Sequence, residues 1–319
     1  MAWRSDSASG VVAVPDTTAT HIVRAALRGK RFRIDDYVVQ ILLLMTLMIA
    51  LGVLVVLLGN VAVRGIPVLA DRGTSFLTST NSTFPFLAGV KQGIIGSLEL
   101  LVIVLIFAVP LGIGAAVYLE EYATDTRINR ILVTNVRNLA GVPSIVYGIP
   151  GLSIFAEFLK PLTGGLTVIS GGLTLSAVVL PIVIITSSEA LRAVPNSIRE
   201  AGFGVGATRW EVIRSHVLPS AAPGIFTGAI LTLARAIGET APLLLVGALL
   251  GFFAPGNVGF WGQLRGPYTS MPTLIFTWST QADPNFRSLT AAAIIVLMAV
   301  LLTVNAAAIV LRNRYERKW

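Results

Sequence analysis

Residues 221–250 read AAPGIFTGAILTLARAIGETAPLLLVGALL, an apolar run that contains two charged side chains, Arg235 and Glu239. A helix of this length crosses the hydrocarbon core of a bilayer, which takes about 20 residues. The whole chain has the same character, with 54% hydrophobic and 13% charged residues over 319 positions. Soluble domains carry about 25% charged residues. The composition therefore excludes an ordinary soluble enzyme and a disordered protein, and it indicates a membrane protein.

Six apolar stretches are long enough to cross a bilayer as helices. They cover residues 37–61, 93–119, 139–158, 173–188, 221–250 and 288–311. The fourth stretch is short unless it extends back toward Leu166, and it contains Pro181. We therefore predict an all-α, polytopic membrane protein with six transmembrane helices.

The basic residues are distributed unevenly between the two sides of these spans. Of 24 Lys and Arg residues, 17 fall in the two terminal tails and in the loops that follow the second and fourth spans. Six fall on the opposite side, and Arg235 lies within a span. Loops rich in Lys and Arg stay in the cytoplasm, so both termini are predicted to be cytoplasmic. The net charge of +8 thus reports membrane orientation and not nucleic-acid binding.

The sequence lacks the motifs of common catalytic and cofactor sites. Cys is absent, and His21 and His216 are far apart in the chain, so no metal site is expected. The Walker A motif requires Gly-Lys-Ser/Thr, whereas the Gly-Lys pair at 29–30 is followed by Arg31. Residues 202–207 fit a loose dinucleotide-binding pattern, but no β-strand precedes them. We expect no cofactor, no metal and no enzymatic site in this chain.

The loop at residues 189–219 contains two helix signals. Pro195 stops one helix, and Asn196 or Ser197 is placed to cap the next, with Glu200 in its first turn. The Ala and Gly residues that follow give this second helix a nearly bare side. Such a surface fits either a docking site that enters a cleft on a partner protein or an ordinary solvated loop.

The fifth span carries a polar stripe. Gly224, Gly228, Thr232, Arg235 and Glu239 are separated by 4, 4, 3 and 4 residues, which places them on one face of a helix. The small residues allow another helix to approach closely. The two charged residues are spaced to form an ion pair, which lowers the cost of placing them in a membrane.

The polar stripe ends at a predicted helix break. Pro242 has no N–H to donate to the carbonyl of Gly238, so the helix should break there. A broken helix beside charged side chains is typical of substrate sites in transporters. Arginine binds a tetrahedral oxyanion through two parallel hydrogen bonds, and a carboxylate accepts a bond from a protonated anion such as phosphate. The alternative is a structural ion pair. The predicted substrate-pathway residues are Thr232, Arg235, Glu239 and Thr240.

Four residues outside these motifs have separate interpretations. Glu99 is expected to snorkel toward the outer surface. Tyr147 lies at an expected kink in the third span, and Trp210 is interpreted as a packing anchor. Trp278, in the outer loop before the last span, fits either the membrane interface or contact with a partner protein.

The loop motif resembles a known family. Glu200-Ala201-Gly202, Gly206 and Leu218-Pro219 resemble the EAA loop of ABC-importer permeases, in which the third residue is usually Ala. The resemblance implies a coupling helix that docks on a separate ATPase subunit, with Gly206 at a turn that requires positive φ or close contact. The implied coupling residues are Glu200, Ala201, Gly202 and Gly206. ATP and Mg would then be bound by the ATPase and not by this chain.

Four further runs are similar to the phosphate-specific members of that family, the permease pair PstA and PstC. They are 234–244 (ARAIGETAPLL), 118–122 (YLEEY), 141–148 (GVPSIVYG) and 271–276 (MPTLIF). The overall pattern favours the A-type subunit. The resemblance implies a type I ABC-importer permease domain over 35–315, with its coupling loop at 189–219. A basic, disordered tail over 1–34 and a short tail over 316–319 would flank the domain.

The resemblance also implies a function and an assembly. The chain is expected to be a transmembrane permease subunit of an ATP-driven inorganic phosphate importer in a prokaryotic plasma (inner) membrane. Its expected partners are a PstC-type permease, two copies of a PstB-type ATPase and a PstS-type phosphate-binding protein. A permease for another oxyanion and an ion-coupled secondary anion transporter are the alternatives. A secondary transporter would have no use for the EAA loop.

Overall fold

The computed structural model describes residues 34–248 and 260–315. These residues form helices, and no β-strand occurs among them. The α-helices are α1 (Ile34–Arg72), α2 (Thr74–Thr78), α3 (Lys91–Val117), α4 (Arg127–Ala140), α5 (Ser144–Pro150), α6 (Lys160–Thr163), α7 (Val168–Arg192), α8 (Asn196–Gly204), α9 (Arg209–Val212), α10 (Leu218–Gly238), α11 (Ala241–Leu245), α12 (Phe260–Leu264), α13 (Met271–Ser279) and α14 (Asn285–Tyr315). Short π-helical segments continue α3 (Tyr118–Tyr122), α5 (Gly151–Phe158) and α9 (Ile213–Val217).

The long helices confirm the all-α membrane architecture. Within the described ranges, α1, α3, α7, α10 and α14 are each long and apolar enough to span a membrane. A sixth span arises when α4 and α5, which meet at a bend of 108°, are taken together. The predicted tail over 1–34 lies outside the described residues except for Ile34, which begins α1, and the tail over 316–319 lies wholly outside them.

The predicted third span, residues 139–158, is wrong at its start. Leu139 and Ala140 belong to α4, and the chain turns before α5 begins at Ser144. Pro143 precedes α5 with φ −55° and ψ 131°, a non-helical conformation. Because proline cannot donate a backbone hydrogen bond, it does not continue the ladder of α4. The apolar segment after the bend, Ser144–Phe158, is therefore shorter than the predicted span.

The fourth and fifth spans also differ from the prediction. The fourth is longer, since α7 begins at Val168 after Thr167, whose hydroxyl accepts a hydrogen bond from the Ser170 N–H. The fifth, predicted as one stretch over 221–250, is divided between α10 and α11. Its last two positions, 249 and 250, lie outside the described residues.

The described residues divide into two compact units, with the boundary between Leu58 and Gly59. In the first unit the described residues form the beginning of α1, and its large apolar side chains are exposed from Tyr37 to Leu58. A helix that is apolar on all sides suits a lipid environment. The second unit contains the remaining helices and both candidate functional sites.

The centre of the second unit is formed by α3, α7 and α10. A β-carbon added at Gly112 of α3 would lie 2.5 Å from Val183 Cγ1 of α7. A β-carbon added at Gly228 of α10 would lie 2.5 Å from Thr186 Oγ1, also of α7. Glycine at these two contacts lets the helices approach closely, which favours association of helices in lipid.

A second core region joins α13 and α14 to residues 59–72 of α1 and to the chain before α3. Trp278, Phe76 and Phe286 are buried there and pack against one another. The Trp278 Nε1–H donates to Asn81 Oδ1 at 3.1 Å. Trp278 is therefore an internal packing residue, and both roles expected for it from the sequence are wrong.

Gly228→Leu should separate α10 from α7, because the new side chain meets Thr186 in a packed contact. Overpacking of this kind costs about 1–3 kcal/mol. The matched control is Gly114→Leu in α3, where an added β-carbon has nothing within 4 Å. Thermal unfolding of the purified complex should give a lower midpoint for Gly228→Leu than for Gly114→Leu. Equal midpoints would show that the α7–α10 contact is not close.

Candidate functional site

The fifth span breaks between α10 and α11. Glu239, the residue after α10, has an extended backbone with φ −73° and ψ 126°. Its N–H donates to the carbonyl of Ala236 at 3.3 Å. Pro242 lies in the first turn of α11, where its missing N–H leaves no intrahelical bond unmade. Two residues, Glu239 and Thr240, thus separate two helices within one apolar stretch.

An ion pair bridges the end of α10. Arg235 Nε lies 3.2 Å from Glu239 Oε1. The Arg235 side chain is 55% exposed, whereas that of Glu239 is 14% exposed. The structure gives Arg235 no other hydrogen bond within the described residues. Its two terminal nitrogens therefore have no hydrogen-bond partner among the described residues.

The predicted polar stripe is divided in the structure. Gly224 and Gly228 lie against Ala190 and Thr186 of α7, so they are packing residues. Thr232 is buried, and its hydroxyl donates to the Gly228 carbonyl at 2.8 Å. The prediction that the stripe shares one helical face is wrong at Glu239, which lies beyond the end of α10.

Thr240 stands at the N-terminus of α11. It is half-buried, and its side chain makes no capping hydrogen bond. Its backbone carbonyl accepts the N–H groups of Leu243 and Leu244 at 3.1 and 3.2 Å. The structure therefore brings Arg235 and Glu239 together, leaves Thr240 next to them in sequence, and commits the Thr232 hydroxyl to its own helix.

The break is supported from the side by α5. A β-carbon added at Gly148 would lie 3.1 Å from the Cα of Pro242. Tyr147, the preceding residue, donates its hydroxyl proton to the carbonyl of Leu139 at 2.8 Å. Tyr147 thus ties α5 to the last turn of α4, a structural role at the bend.

The sequence analysis predicts that Glu99 of α3 snorkels to the outer surface. The structure instead holds its side chain within the protein. It is half-buried, and Oε1 accepts a hydrogen bond from Gln263 Nε2 of α12 at 2.6 Å. Oε2 is buried with no partner among the described residues. The contact holds α12 against α3.

The loop between α7 and α10 folds into two short helices. Gly206 lies in the turn between α8 and α9 with φ +84°, which confirms the prediction of a positive φ there. The predicted cap by Asn196 or Ser197 is wrong, because Pro195 is the N-cap residue of α8 and no side chain caps that helix. Thr208 begins α9 with a capping box.

A buried ion pair anchors this loop to the π-helical end of α3. Arg199 Nη2 lies 2.7 Å from Glu121 Oε1, and the two side chains are 19% and 7% exposed. Arg199 also donates to the carbonyls of Leu191 and Val194 at 3.0 and 2.8 Å. The sequence analysis missed this anchor. The available signal was the pair of glutamates at the end of a span, opposite a loop rich in arginine.

A second pair lies beside the first and is more open to solvent. Arg192 Nε and Nη2 donate to the two carboxylate oxygens of Glu120 at 2.7 and 2.8 Å. The Arg192 side chain is 53% exposed. The Arg192 pair joins the end of α7, and the Arg199 pair joins the loop, to the segment that continues α3.

The outer side of the loop exposes three large apolar side chains. Phe203, Val205 and Trp210 are exposed, and we call them the loop patch. Trp210 is half exposed, so it is not an anchor within this chain. Gly202 faces inward, where an added β-carbon would lie 2.7 Å from Val212 Cγ2. The glycine at the third EAA position therefore lets α8 pack closely on α9.

Titratable groups do not converge into a metal site in the described part of the chain. No three His, Asp or Glu residues there lie close enough to share an ion. The chemistry that the arrangement offers is therefore binding of an anion by Arg235 and docking through the loop patch.

A family model described as "Binding-protein-dependent transport system inner membrane component" matches residues 108–317. The chain belongs to this family. The matched residues include the break at Glu239, the ion pair with Arg235 and the whole loop between α7 and α10.

Several relatives match this membrane component over much of its length. Phosphate transport system permease protein PstA 1 of Mycobacterium tuberculosis (strain CDC 1551 / Oshkosh) is 35% identical over 285 residues, 88% of this chain and 90% of that protein. PstA of Mycobacterium leprae (strain TN) is 36% identical over 255 residues, 79% and 80% of the two chains. Probable ABC transporter permease protein YqgI of Bacillus subtilis (strain 168) is 34% identical over 199 residues, 62% of this chain and 65% of that protein.

Solved structures show the same fold. A chain of the inward-facing MetNI methionine ABC transporter aligns with a TM-score of 0.55 and 17% identity, covering 72% of this chain and 98% of the other. A chain of a bacterial ABC transporter involved in import of the acidic polysaccharide alginate aligns with a TM-score of 0.51 and 16% identity, covering 89% and 99%. This membrane component therefore has the type I ABC-importer permease fold.

Arg199→Gln should loosen the loop, because it leaves the buried Glu121 carboxylate without its counter-charge. Removing one partner of a buried pair costs about 3–5 kcal/mol. Hydrogen exchange over residues 196–217 in the assembled complex should become faster. Arg192→Gln is the control, since exposed pairs contribute about 0–1 kcal/mol. If both variants exchange alike, the Arg199 pair is not the anchor.

Proposed function

We propose that this chain is a permease subunit of an ATP-driven importer of inorganic phosphate. The observation that carries the proposal is the Arg235–Glu239 pair at the break between α10 and α11. The pair lies in the run at 234–244 that resembles the phosphate-specific permeases. Relatives named PstA, at 35% and 36% identity over 88% and 79% of this chain, support the same function.

Arg235 and Glu239 together suit a partly protonated phosphate. The guanidinium group binds an oxyanion with parallel hydrogen bonds, and its terminal nitrogens are not engaged within the described residues. The carboxylate accepts a hydrogen bond from a protonated anion and repels one that has no proton to donate. Hydrogen phosphate carries such a proton at neutral pH, whereas sulfate does not. The pair thus provides both binding and selection.

Exposure of Arg235 indicates that this chain forms one side of the pathway. Its side chain is 55% exposed at the end of α10, the helix that packs on α7 through Gly224 and Gly228. A second, PstC-type permease would face it and complete the pathway. Thr240, which is half-buried at the start of α11, would lie along the same route. Thr232 would support the helix from within.

Energy would come from a separate ATPase of the PstB type, in two copies, which binds ATP and Mg. The loop patch would dock on it, with the coupling residues Glu200, Ala201, Gly202 and Gly206 in α8 and its turn. This arrangement requires the loop to be cytoplasmic, in agreement with the distribution of Lys and Arg along the chain. Both termini would then be cytoplasmic, in a prokaryotic plasma (inner) membrane. A PstS-type protein would deliver phosphate from the other side.

The mechanism that follows is alternating access. Closure of the ATPase dimer moves the loop, and the loop leads directly into α10. Movement of α10 turns the Arg235–Glu239 pair toward the outside to receive phosphate. ATP hydrolysis then returns the pair to the inward-facing state.

Arg235→Gln should abolish phosphate uptake and leave assembly intact. The variant keeps hydrogen-bonding capacity but removes the charge that holds the anion. The measurement is ATP-dependent uptake of phosphate and sulfate by vesicles that contain the complete importer.

Two variants serve as comparisons for Arg235→Gln. Arg287→Gln removes an exposed arginine near the start of α14 and should leave uptake unchanged. Glu239→Gln should retain phosphate uptake and weaken rejection of sulfate. Normal phosphate uptake by Arg235→Gln would mean that the Arg235–Glu239 ion pair is structural and does not bind the substrate. Uptake without ATP would favour a secondary transporter, and uptake of another oxyanion in preference to phosphate would change the substrate.

Gly206→Val should uncouple ATP hydrolysis from uptake. The backbone at Gly206 has φ +84°, and this region costs an ordinary residue about 1–2 kcal/mol. Gly206→Asn is the matched control, because Asn tolerates the left-handed region and an added β-carbon meets nothing within 4 Å. Parallel assays of ATPase activity and uptake should show loss of coupling for Val alone. If Gly206→Val keeps ATP hydrolysis coupled to uptake, the turn at Gly206 is not part of the coupling mechanism.

A further inference from the structure

Helix α4 has two different exposed sides. Ile128, Leu132 and Leu139 follow one another at helical spacing and are exposed, with Ile128 reaching 70%. The other exposed side carries Arg130 and Arg137. A third side of α4, between these two, packs against α7. The apolar stripe formed by Ile128, Leu132 and Leu139 is therefore not covered by other described residues.

The corner between α4 and α5 is held in place. The helices meet at 108°, and the Tyr147 hydroxyl bonds to the Leu139 carbonyl at 2.8 Å. The Gly141 N–H donates to the Asn138 carbonyl at 3.0 Å. A bend of 108° directs α4 close to parallel to the membrane surface where α5 runs along the membrane normal.

Two of the three arginines of α4 have side chains that are available to bind anions. Arg127 stands in the first turn, where the helix dipole disfavours a cation. Neither Arg127 nor Arg137 has a hydrogen bond or an ion pair among the described residues. Arg130 alone is paired, and its hydrogen bonds to Asp125 hold the pKa of that carboxyl below its ordinary value.

Arg137 also borders a pocket between α4 and α7. The pocket has a volume of about 180 Å³, and Val133 and Val136 line its α4 side. The Arg192–Glu120 pair and Glu189 lie at the same pocket. A pocket with an apolar wall and a free guanidinium group suits the phosphodiester and glycerol of one lipid headgroup.

We propose that α4 lies in the headgroup layer of the cytoplasmic leaflet, where its apolar stripe contacts acyl chains and Arg127 and Arg137 bind the phosphate groups of anionic phospholipids. Amphipathic helices with arginine on the polar side bind membranes in this way. The cytoplasmic leaflet supplies the matching negative charge. The inference rests on the topology proposed above but not on the identity of the transported substrate.

Occupancy of this surface bears on transport through α5. The same α5 whose corner with α4 is fixed by Tyr147 also packs on Pro242 at the break, through Gly148. A lipid bound along α4 would stabilise the corner between α4 and α5. A fixed corner would in turn keep α5 packed against Pro242 at the break between α10 and α11. Loss of anionic lipid should therefore slow uptake without dissociating the complex.

Spin labels measure the depth of α4 directly. The chain has no Cys, so Leu132→Cys and Thr134→Cys each give a single labelling position on this subunit. In the complete importer, with the other subunits free of reactive cysteines, the label at 132 should collide with lipid-soluble oxygen. The matched label at 134, on the polar side, should collide with a water-soluble nickel chelate.

Two other outcomes have different meanings. Shielding of position 132 from both reagents would mean that a protein partner covers the stripe, and access of the nickel chelate to position 132 would mean that the stripe faces water. Either result would overturn the proposal.

Lipid binding gives a second measurement that does not depend on transport. The importer would be placed in nanodiscs with phosphatidylglycerol at increasing fractions, and retained lipid counted by native mass spectrometry. Affinity should fall about fivefold for each arginine removed in Arg127→Gln and Arg137→Gln. Arg287→Gln, an exposed arginine outside α4, should leave affinity unchanged. Equal lipid retention in all variants would refute the proposal even if phosphate uptake is confirmed.

Discussion

Close contact of α7 with α3 and α10 is the constraint on which the rest of the structure depends. In a bilayer the backbone must satisfy its own hydrogen bonds, so the chain forms helices. Helices in lipid are not driven together by the hydrophobic effect and depend on close packing instead. Gly112 and Gly228 provide this packing against Val183 and Thr186. The position of α10, and therefore of the break at its end, follows from these contacts.

The loop between α7 and α10 is connected to the same framework by charge. Arg199 is bonded both to Glu121 at the end of α3 and to carbonyls at the end of α7. The loop therefore cannot shift without strain on two of the three central helices. Because α9 and its π-helical continuation lead directly into α10, the proposed displacement of the loop would be passed along the chain toward Arg235.

The break between α10 and α11 combines local and distant causes. Pro242 lacks the N–H that an uninterrupted helix would use, and this ends the hydrogen-bond ladder locally. The resulting geometry is then held by α5, whose Gly148 lets its backbone approach Pro242. Arg235 and Glu239 pair at the end of α10, on one side of this break, and the Arg235 side chain is partly exposed.

The sequence by itself determined the features that depend on neighbours along the chain. Apolar stretches located the spans approximately, Pro242 indicated the break, and Gly206 was expected at a turn with positive φ or close contact, of which the structure has the positive φ. Only the tertiary structure decided the sharp corner before α5, the burial of Thr232 and the pairing of Arg199 with Glu121, which are 78 residues apart. The physical reason is that helix and turn formation involve residues a few positions apart, whereas ion pairs and close helix contacts depend on how α3, α7 and α10 pack in three dimensions.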